Sequence, residues 1–316
     1  MLDPIPAASR LITGTLFVPG GHELHWEESG VPTGMPAIWL HGGPGSGLGA
    51  GGYRSRFDPE RWRVIGYDQR GCGRSTPLAT SRGYDMSAVE TDRHIEDIES
   101  LRELFGVEKW LVTGSSWGST LALAYAEQHP DRVTGIVIAA VTTGARSEVE
   151  WITESVGRIF PQEWEAFAAA SGRRENQRVV DAYLERLTDV DPAVRAAAAR
   201  AWCTWEDVHV SLDPAATPSA RYDNPEFREN FAKLVAHSWA NSAFLGDHGV
   251  LDRLDRIAAI RAVLIHGRLD VSSPLVTAWE LHRRWPLSEL KVVESEGHGG
   301  PTMTELTREA IGSFLR

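Results

Sequence analysis

Residues 114–118 read Gly114-Ser115-Ser116-Trp117-Gly118 and stand between two segments of contrasting pattern. Before them, residues 110–113 form a short apolar run that predicts a buried strand, and after them residues 119–128 carry the pattern of a helix. A G-x-S-x-G sequence in this context is typical of a sharp strand-to-helix turn, which strains the central serine and raises its hydroxyl above the sheet. We therefore predict that Ser116 is a nucleophile rather than an incidental serine in a glycine-rich turn.

The same alternation of short apolar runs and helical patterns continues on both sides of this turn. Strands are predicted at residues 37–40, 64–67, 135–141, 262–265 and 290–293, and helices at residues 90–105, 275–285 and 303–315. A β-hairpin is predicted at residues 11–28, around Pro19-Gly20-Gly21. Buried strands that alternate with helices predict an α/β fold with a mostly parallel central sheet covered on both faces.

A different pattern fills the middle of the chain. Residues 142–252 contain five tryptophans and several helical segments, at residues 148–159, 162–170, 177–187 and 192–202, but no convincing strand. We predict one α/β domain, formed by residues 1–141 and 253–316, which is interrupted by a helical insertion at residues 142–252.

A serine hydroxyl needs a base that removes its proton and an acid that orients the base. In hydrolases built on this kind of turn, the acid and then the base follow the serine, on loops after later strands. Asp270 and His298 meet this order, because they follow the predicted strands at residues 262–265 and 290–293. We predict a Ser116–His298–Asp270 triad.

Other titratable residues fit these roles less well. His266 precedes the acid and breaks the expected order, and His94 is placed on the solvated face of its helix. Asp68 is expected to fix its loop through Arg70 or the backbone. Two further acids near His298 are expected to be solvated: Glu294 and Glu296.

The developing oxyanion needs two backbone N–H donors. We expect one from Trp117, which follows the nucleophile, and one from Gly43 in the loop at residues 41–45. The alternative reading of this loop is a turn needed only for chain reversal.

Composition narrows the possible partners of the 316-residue chain. With 32 Lys and Arg against 43 Asp and Glu, its net charge of −11 argues against a nucleic-acid binder.

Its two cysteines, Cys72 and Cys203, rule out a disulfide scaffold and a cysteine zinc module. Because no dinucleotide, phosphate-loop or metal-ligand pattern occurs, we expect no cofactor and no metal. No signal peptide or membrane span is recognised, so a cytoplasmic protein is expected.

Five stretches of the chain resemble the proline iminopeptidase (prolyl aminopeptidase) family of α/β-hydrolases. They are His41-Gly42-Gly43-Pro44-Gly45, Tyr67-Asp68-Gln69-Arg70-Gly71-Cys72-Gly73-Arg74-Ser75, residues 97–102, residues 114–125 and His266-Gly267-Arg268-Leu269-Asp270. The resemblance is dense in the first 140 residues and at residues 262–300, and weak across the helical insertion. It implies the same triad and oxyanion donors, and it implies that the insertion is a cap over the substrate.

The resemblance also implies how the substrate's free amine is read. The family uses cap glutamates, one of which lies in a Trp-Glu pair that matches Trp205-Glu206 here. The reading of Glu206 as a surface helix acid stays open. The second glutamate is expected at position 235, where this chain has Val235, so amine recognition is expected to be altered.

Three functions follow as hypotheses. The first is an aminopeptidase that releases N-terminal proline or another small residue from small peptides through an acyl-enzyme. The second is an esterase or amidase that acts on small acyl substrates with the same triad. The third is a non-catalytic binding protein, which the complete set of triad residues argues against. The oligomeric state stays open.

Overall fold

The computed structural model describes residues 11–210, 212 and 217–315, and these form a single eight-stranded sheet flanked by helices. The strands are β1 Ile12–Val18, β2 His22–Gly30, β3 Met35–Leu40, β4 Trp62–Tyr67, β5 Trp110–Ser116, β6 Val133–Val141, β7 Ala262–Gly267 and β8 Ser288–Val293. Their spatial order is β1-β2-β4-β3-β5-β6-β7-β8. In this spatial order, neighbouring strands from β4 to β8 are parallel. Strand β2 lies between β1 and β4 and is antiparallel to both. The predicted fold class and hairpin are therefore confirmed.

The α-helices form two groups, one that covers the sheet and one that lies in the insertion between β6 and β7. They are α1 Thr91–Leu104, α2 Trp117–Gln128, α3 Arg146–Glu150, α4 Pro161–Ser171, α5 Val179–Leu187, α6 Pro192–His209, α7 Pro225–Ala240, α8 Leu275–Arg284 and α9 Pro301–Gly312. One apolar core contains residues of α1, α2 and α8, and a second contains residues of α9 and opposite-facing strand residues, so helices cover both faces of the sheet. No helix in the described ranges is long and apolar enough to cross a bilayer.

Helices α3 to α7 lie between β6 and β7 and share a further hydrophobic core, which also includes Val271 after β7. Five of its aromatic residues contact one another in stacked, edge-on or tilted pairs: Phe167, Tyr183, Trp202, Trp205 and Trp239. Helix α7 is not among the predicted segments. We propose that residues 142–252 form a cap, as the sequence predicts; near its end, Ala243 and Val250 pack into the core of the sheet instead.

Candidate active site

Ser116 is the last residue of β5, directly before α2. Its φ of 57° is unusual for a residue other than glycine and reflects the strain of the turn. A Cβ on Gly118 would lie 2.1 Å from the Leu40 carbonyl oxygen, and one on Gly114 would lie 2.4 Å from the Gly118 carbonyl oxygen. The two glycines of the motif are therefore required by close packing of backbone against backbone.

The structure brings the three predicted triad residues together. The Nε2 atom of His298 lies 2.8 Å from the Ser116 Oγ, and its Nδ1 atom lies 2.8 Å from an Asp270 carboxylate oxygen. Asp270 follows β7 and His298 follows β8, at the carboxyl edge of the sheet where β5 ends. Since Ser116 is 182 residues from His298 in sequence, the parallel topology is what joins them.

The environment of His298 suits a base. Burial lowers the pKa of its imidazole, but the Asp270 carboxylate, its hydrogen bond and the Glu206 carboxylate raise that pKa, and the net shift is upward. The Asp270 side chain is fully buried, and its other oxygen accepts a 2.9 Å hydrogen bond from the Ser273 N–H. The carboxylate is thereby held on His298 and favours the imidazolium that forms when the serine loses its proton.

Ser116 lies where an inner pocket meets an outer cleft. The inner pocket is lined by Gly43, Ser116, Trp117, Thr120, Thr142, Gly144, Glu148, Val149, Ile152, Ser238, Trp239, Ala243, Ser272 and Ser273. The outer cleft also reaches Ser116 and adds His298, Glu206, Arg56 and Arg221. A substrate at Ser116 can therefore place one part in the inner pocket and the other in the cleft.

The two expected oxyanion donors flank the serine. Trp117 begins α2, whose first N–H groups have no partner within the helix, and its indole is held by the Gln69 side chain at 2.9 Å. Gly43 adopts a φ of 115° and lines the inner pocket beside Ser116. A Cβ on the preceding Gly42 would lie 3.2 Å from the Ser116 Cβ, so the loop runs directly against the nucleophile.

Glu206 is a buried residue of α6 rather than a surface acid. One of its carboxylate oxygens accepts a 3.0 Å hydrogen bond from the Trp202 indole, and burial raises the pKa of the group to about 7. Its side chain lines the outer cleft with His298. Val235, in contrast, is fully buried in the core of helices α3 to α7.

Glu148 is a third buried carboxylate at the site, besides Asp270 and Glu206, and sequence reasoning missed it. It lines the inner pocket, but its oxygens accept hydrogen bonds from the backbone N–H groups of Thr143 and Gly144 and from the Thr143 hydroxyl. Burial raises the pKa of Glu148 despite these bonds. We assign it to holding the chain where β6 leaves the sheet.

Two expectations about nearby residues are wrong. His94 is buried, not solvated, and packs edge-on against the Trp117 ring because α1 turns this face toward the active-site turn. Glu296 is also buried: its two oxygens accept from the N–H groups of Thr302 and Met303 and so cap the start of α9. Glu294 is exposed, as expected, and pairs with Arg268.

Asp68 fixes its loop through the backbone, as expected, and through the side chain of Arg74 rather than that of Arg70. It accepts from the Leu48 N–H and from the backbone and side chain of Arg74, whereas Arg70 pairs with buried Asp97. These bonds hold the loop beside the outer cleft in one conformation.

His266 and Cys72 have structural surroundings. The His266 Nδ1 accepts from the Val141 N–H at 3.1 Å, and its Nε2 lies 2.7 Å from the Ser273 carbonyl oxygen, which it reaches as a donor. Both ring nitrogens are thus occupied. Cys72 is fully buried, and burial raises the pKa of its thiol.

Both catalytic loops are joined to the end of α6. The His298 backbone N–H donates to the Val210 carbonyl at 3.0 Å, and the Leu212 N–H donates to the Leu269 carbonyl at 3.1 Å. Val210 directly follows α6, the helix that carries Glu206. The insertion and the triad therefore meet through main-chain hydrogen bonds.

Metal ligands are not clustered in the part of the chain that the structure describes: no group of three or more His, Cys, Asp or Glu side chains there could hold an ion. The hydrogen-bonded triad can activate Ser116 next to a pocket that is partly apolar.

Comparisons with known proteins agree with this geometry. The pattern of the alpha/beta hydrolase fold matches residues 38–300. The chain is 42% identical over 309 residues to the probable proline iminopeptidase of Streptomyces coelicolor, and the aligned region covers 96% of this chain and 95% of that protein. It is 41% identical over 289 residues to the proline iminopeptidase of Arabidopsis thaliana, covering 90% of this chain and 74% of that protein.

A solved structure supports the fold alone. The bromoperoxidase from Bacillus anthracis superposes with a TM-score of 0.67 at 18% identity, covering 96% of this chain and 99% of that one. At this identity the likeness carries no statement about substrate. The family follows from the sequence relatives: this chain belongs to the proline iminopeptidase family within the α/β-hydrolase fold.

Proposed function

We propose that the protein is a serine aminopeptidase that releases an N-terminal proline, or another small residue, from small peptides. The observation that carries this proposal is the hydrogen-bonded chain Ser116–His298–Asp270 beside a cleft that contains the carboxylate of Glu206. The curated relatives, which are named proline iminopeptidases over nearly the full length of this chain, support it.

The first half of the reaction forms an acyl-enzyme. The Ser116 Oγ attacks the carbonyl carbon of the N-terminal residue while the His298 Nε2 accepts the hydroxyl proton. The N–H groups of Gly43 and Trp117 stabilise the oxyanion of the tetrahedral intermediate. His298 then gives its proton to the leaving amine, and the C–N bond breaks.

The second half returns the free enzyme. A water molecule gives a proton to the His298 Nε2 and attacks the acyl carbon, so a second tetrahedral intermediate forms at the same two N–H donors. Its collapse breaks the ester bond to Ser116, which takes the proton back from His298. The free amino acid leaves.

Glu206 binds the ammonium group of the substrate in this proposal. A buried carboxylate is a suitable partner because an unpaired cation would be costly to desolvate. Glu148 is less suitable, since its oxygens already accept from Thr143 and Gly144. The side chains of Val149, Ile152 and Trp239 supply the apolar part of the inner pocket for the small ring or side chain.

An esterase or amidase acting on small acyl groups is the second candidate. Val235 favours it, because this fully buried apolar residue stands where the resemblance implies a second amine-binding glutamate. Such an enzyme would use the same triad without reading a charged amine.

A panel of three substrates separates the two candidates. Prolyl 4-nitroanilide carries a free amine, its N-acetyl derivative has the amine blocked, and 4-nitrophenyl acetate is a simple ester. Hydrolysis of the free-amine anilide with a much lower kcat/KM for the blocked one supports the aminopeptidase. Cleavage of the ester together with no cleavage of the free-amine anilide contradicts it.

The Glu206→Gln substitution should raise KM for prolyl 4-nitroanilide by about 10- to 100-fold, because a hydrogen bond to a charged partner contributes about 1.5–3 kcal/mol. The amide keeps the acceptor for the Trp202 indole, so the fold should be retained. Hydrolysis of 4-nitrophenyl acetate should change little. Exposed Glu294→Gln is the control for removing one negative charge, and equal KM values in the two variants would exclude this role of Glu206.

The pH dependence of KM should show the raised pKa of Glu206. The pKa of Glu206 is about 7, so at higher pH the carboxylate is ionised and binds the ammonium. KM should therefore fall as the pH rises from 6 toward 7.5. It should rise again above about 8, where an α-amino group loses its proton. In Glu206→Gln the low-pH limb of KM should disappear, while kcat should still fall in acid because His298 becomes protonated. A KM limb that persists in this variant would contradict the assignment.

A further inference from the structure

The outer cleft contains two arginines and one carboxylate. Arg56, Arg221 and Glu206 all line it together with Ser116 and His298. Within the described residues neither arginine forms an ion pair, whereas neighbouring Arg54 and Arg74 both pair with Glu27. Once Glu206 has bound an ammonium, the two guanidinium groups of the cleft have no ion-pair partner among the described side chains.

Both guanidinium groups are held in place by aromatic faces. The Arg221 group lies 4.8 Å from the Tyr222 ring centre and 5.0 Å from the Phe231 ring centre, and it donates to the Ser46 hydroxyl at 3.0 Å. The Arg56 group lies 4.9 Å from the Trp39 ring centre. Side chains that are already positioned lose less conformational entropy when they bind a ligand.

Stacking leaves the edges of a guanidinium available. An arginine has five N–H donors in one plane, and contact with a ring uses its face rather than these donors. Arg221 uses part of its set on Ser46 and on the Tyr222 hydroxyl, and Arg56 makes a long 3.4 Å contact with the Gly52 carbonyl. The remaining donors suit the two oxygens of a carboxylate.

The two arginines come from different parts of the fold. Arg56 follows β3 in the body of the protein, and Arg221 precedes α7 in the insertion. The inner pocket, which neither of them lines, is left for the N-terminal residue. A group bound between the arginines therefore belongs to the part of the substrate that leaves when the peptide bond breaks.

We propose that Arg56 and Arg221 form an anion subsite for the free carboxylate of the leaving fragment. The preferred substrates are then short peptides with a free C-terminus, whose ammonium meets Glu206 and whose carboxylate meets the arginines. This inference rests on the proposed aminopeptidase function and adds the class of leaving fragment.

The test compares prolyl-glycine with prolyl-glycinamide, which differ only in the terminal group, a carboxylate in the first and a neutral amide in the second. The wild type should cleave the acid with a kcat/KM at least about tenfold higher, since a charge-assisted hydrogen bond contributes at least that factor. Arg221→Gln and Arg56→Gln should reduce this acid-to-amide ratio. The ratio within one variant cancels any effect that loss of the Arg221 charge has on the pKa of Glu206 or His298. Exposed Arg200→Gln on α6 is the control for removing one positive charge.

Equal cleavage of acid and amide by the wild type would overturn the proposal. It would also be overturned if the arginine variants kept the acid-to-amide ratio of the wild type. If prolyl 4-nitroanilide is not cleaved but esters are, the aminopeptidase function fails, and 4-acetoxybenzoate against 4-acetoxybenzamide then tests the arginines alone. If neither class is cleaved, the two dipeptides are compared as ligands. Prolyl-glycine should slow the labelling of Ser116 by a fluorophosphonate more than prolyl-glycinamide does.

Discussion

Replacement of Ser116 by alanine should lower kcat for prolyl 4-nitroanilide by about four to six orders of magnitude, the range seen when a triad nucleophile is removed. The Oγ is the only heavy atom lost, and it carries both the attack on the carbonyl and the 2.8 Å contact with the His298 Nε2. Residual hydrolysis would come from water that attacks a substrate whose carbonyl oxygen lies at the oxyanion donors. Initial rates at saturating substrate measure the effect.

A loss of fold would give the same loss of rate, so the thermal midpoint must be measured beside it. The alanine should leave this midpoint near the wild-type value, because the strained φ of 57° is imposed by the turn and not by the hydroxyl. A fluorophosphonate should label the wild type and not Ser116→Ala. Labelling that survives the substitution would show that another residue is the nucleophile.

Asp270→Asn should lower kcat by about four orders of magnitude with little change in KM. The carboxylate stabilises the imidazolium of His298, and a neutral amide of the same shape cannot do so. Its NH₂ group can also face the His298 Nδ1 and select the wrong tautomer. Rates of acyl-enzyme formation in single turnovers measure this effect separately from product release.

The control for Asp270→Asn is Asp252→Asn, a replacement of the same chemistry at an exposed position. It should leave kcat unchanged. If kcat fell by less than about tenfold in Asp270→Asn, a role for Asp270 in stabilising charge on His298 would be excluded.

The catalytic half of the molecule could be predicted because its signals are local. Parallel strands are buried on both faces, so β5, β6 and β7 each contain a short apolar run. The motif around Ser116 requires glycines for steric reasons, which leaves a readable pattern. Asp270 and His298 could be predicted because residues that follow parallel strands collect at one edge of the sheet.

Burial of single polar residues could not be predicted in the same way. Glu294 and Glu296 are two residues apart, yet one is exposed and the other caps α9. Only the path of the loop decides between them. His94 lies on a helix whose pattern is compatible with a solvated position, but packing against Trp117 buries it.

Helix α7 shows why the insertion was harder to read than the sheet. Residues from Asn230 to Ala236 are almost all buried, so the alternation of apolar and polar faces that marks an exposed helix is missing. A local signal was present at its start: Pro225 occupies the first turn, and Asn224 accepts from the N–H groups of Glu226 and Phe227. Arg56 and Arg221 carry no such signal, because only the tertiary fold brings them to one cleft.

The hydrogen bonds that join His298 to Val210 and Leu269 to Leu212 have a consequence for protein engineering. A chimaera that exchanges the helical insertion for one from a relative would cut or rebuild the main-chain partners of both catalytic loops. The exchangeable module therefore has to be defined by these junctions and not by the helices alone. A graft that stops at His209 would transplant Glu206 while leaving the histidine loop without its anchor.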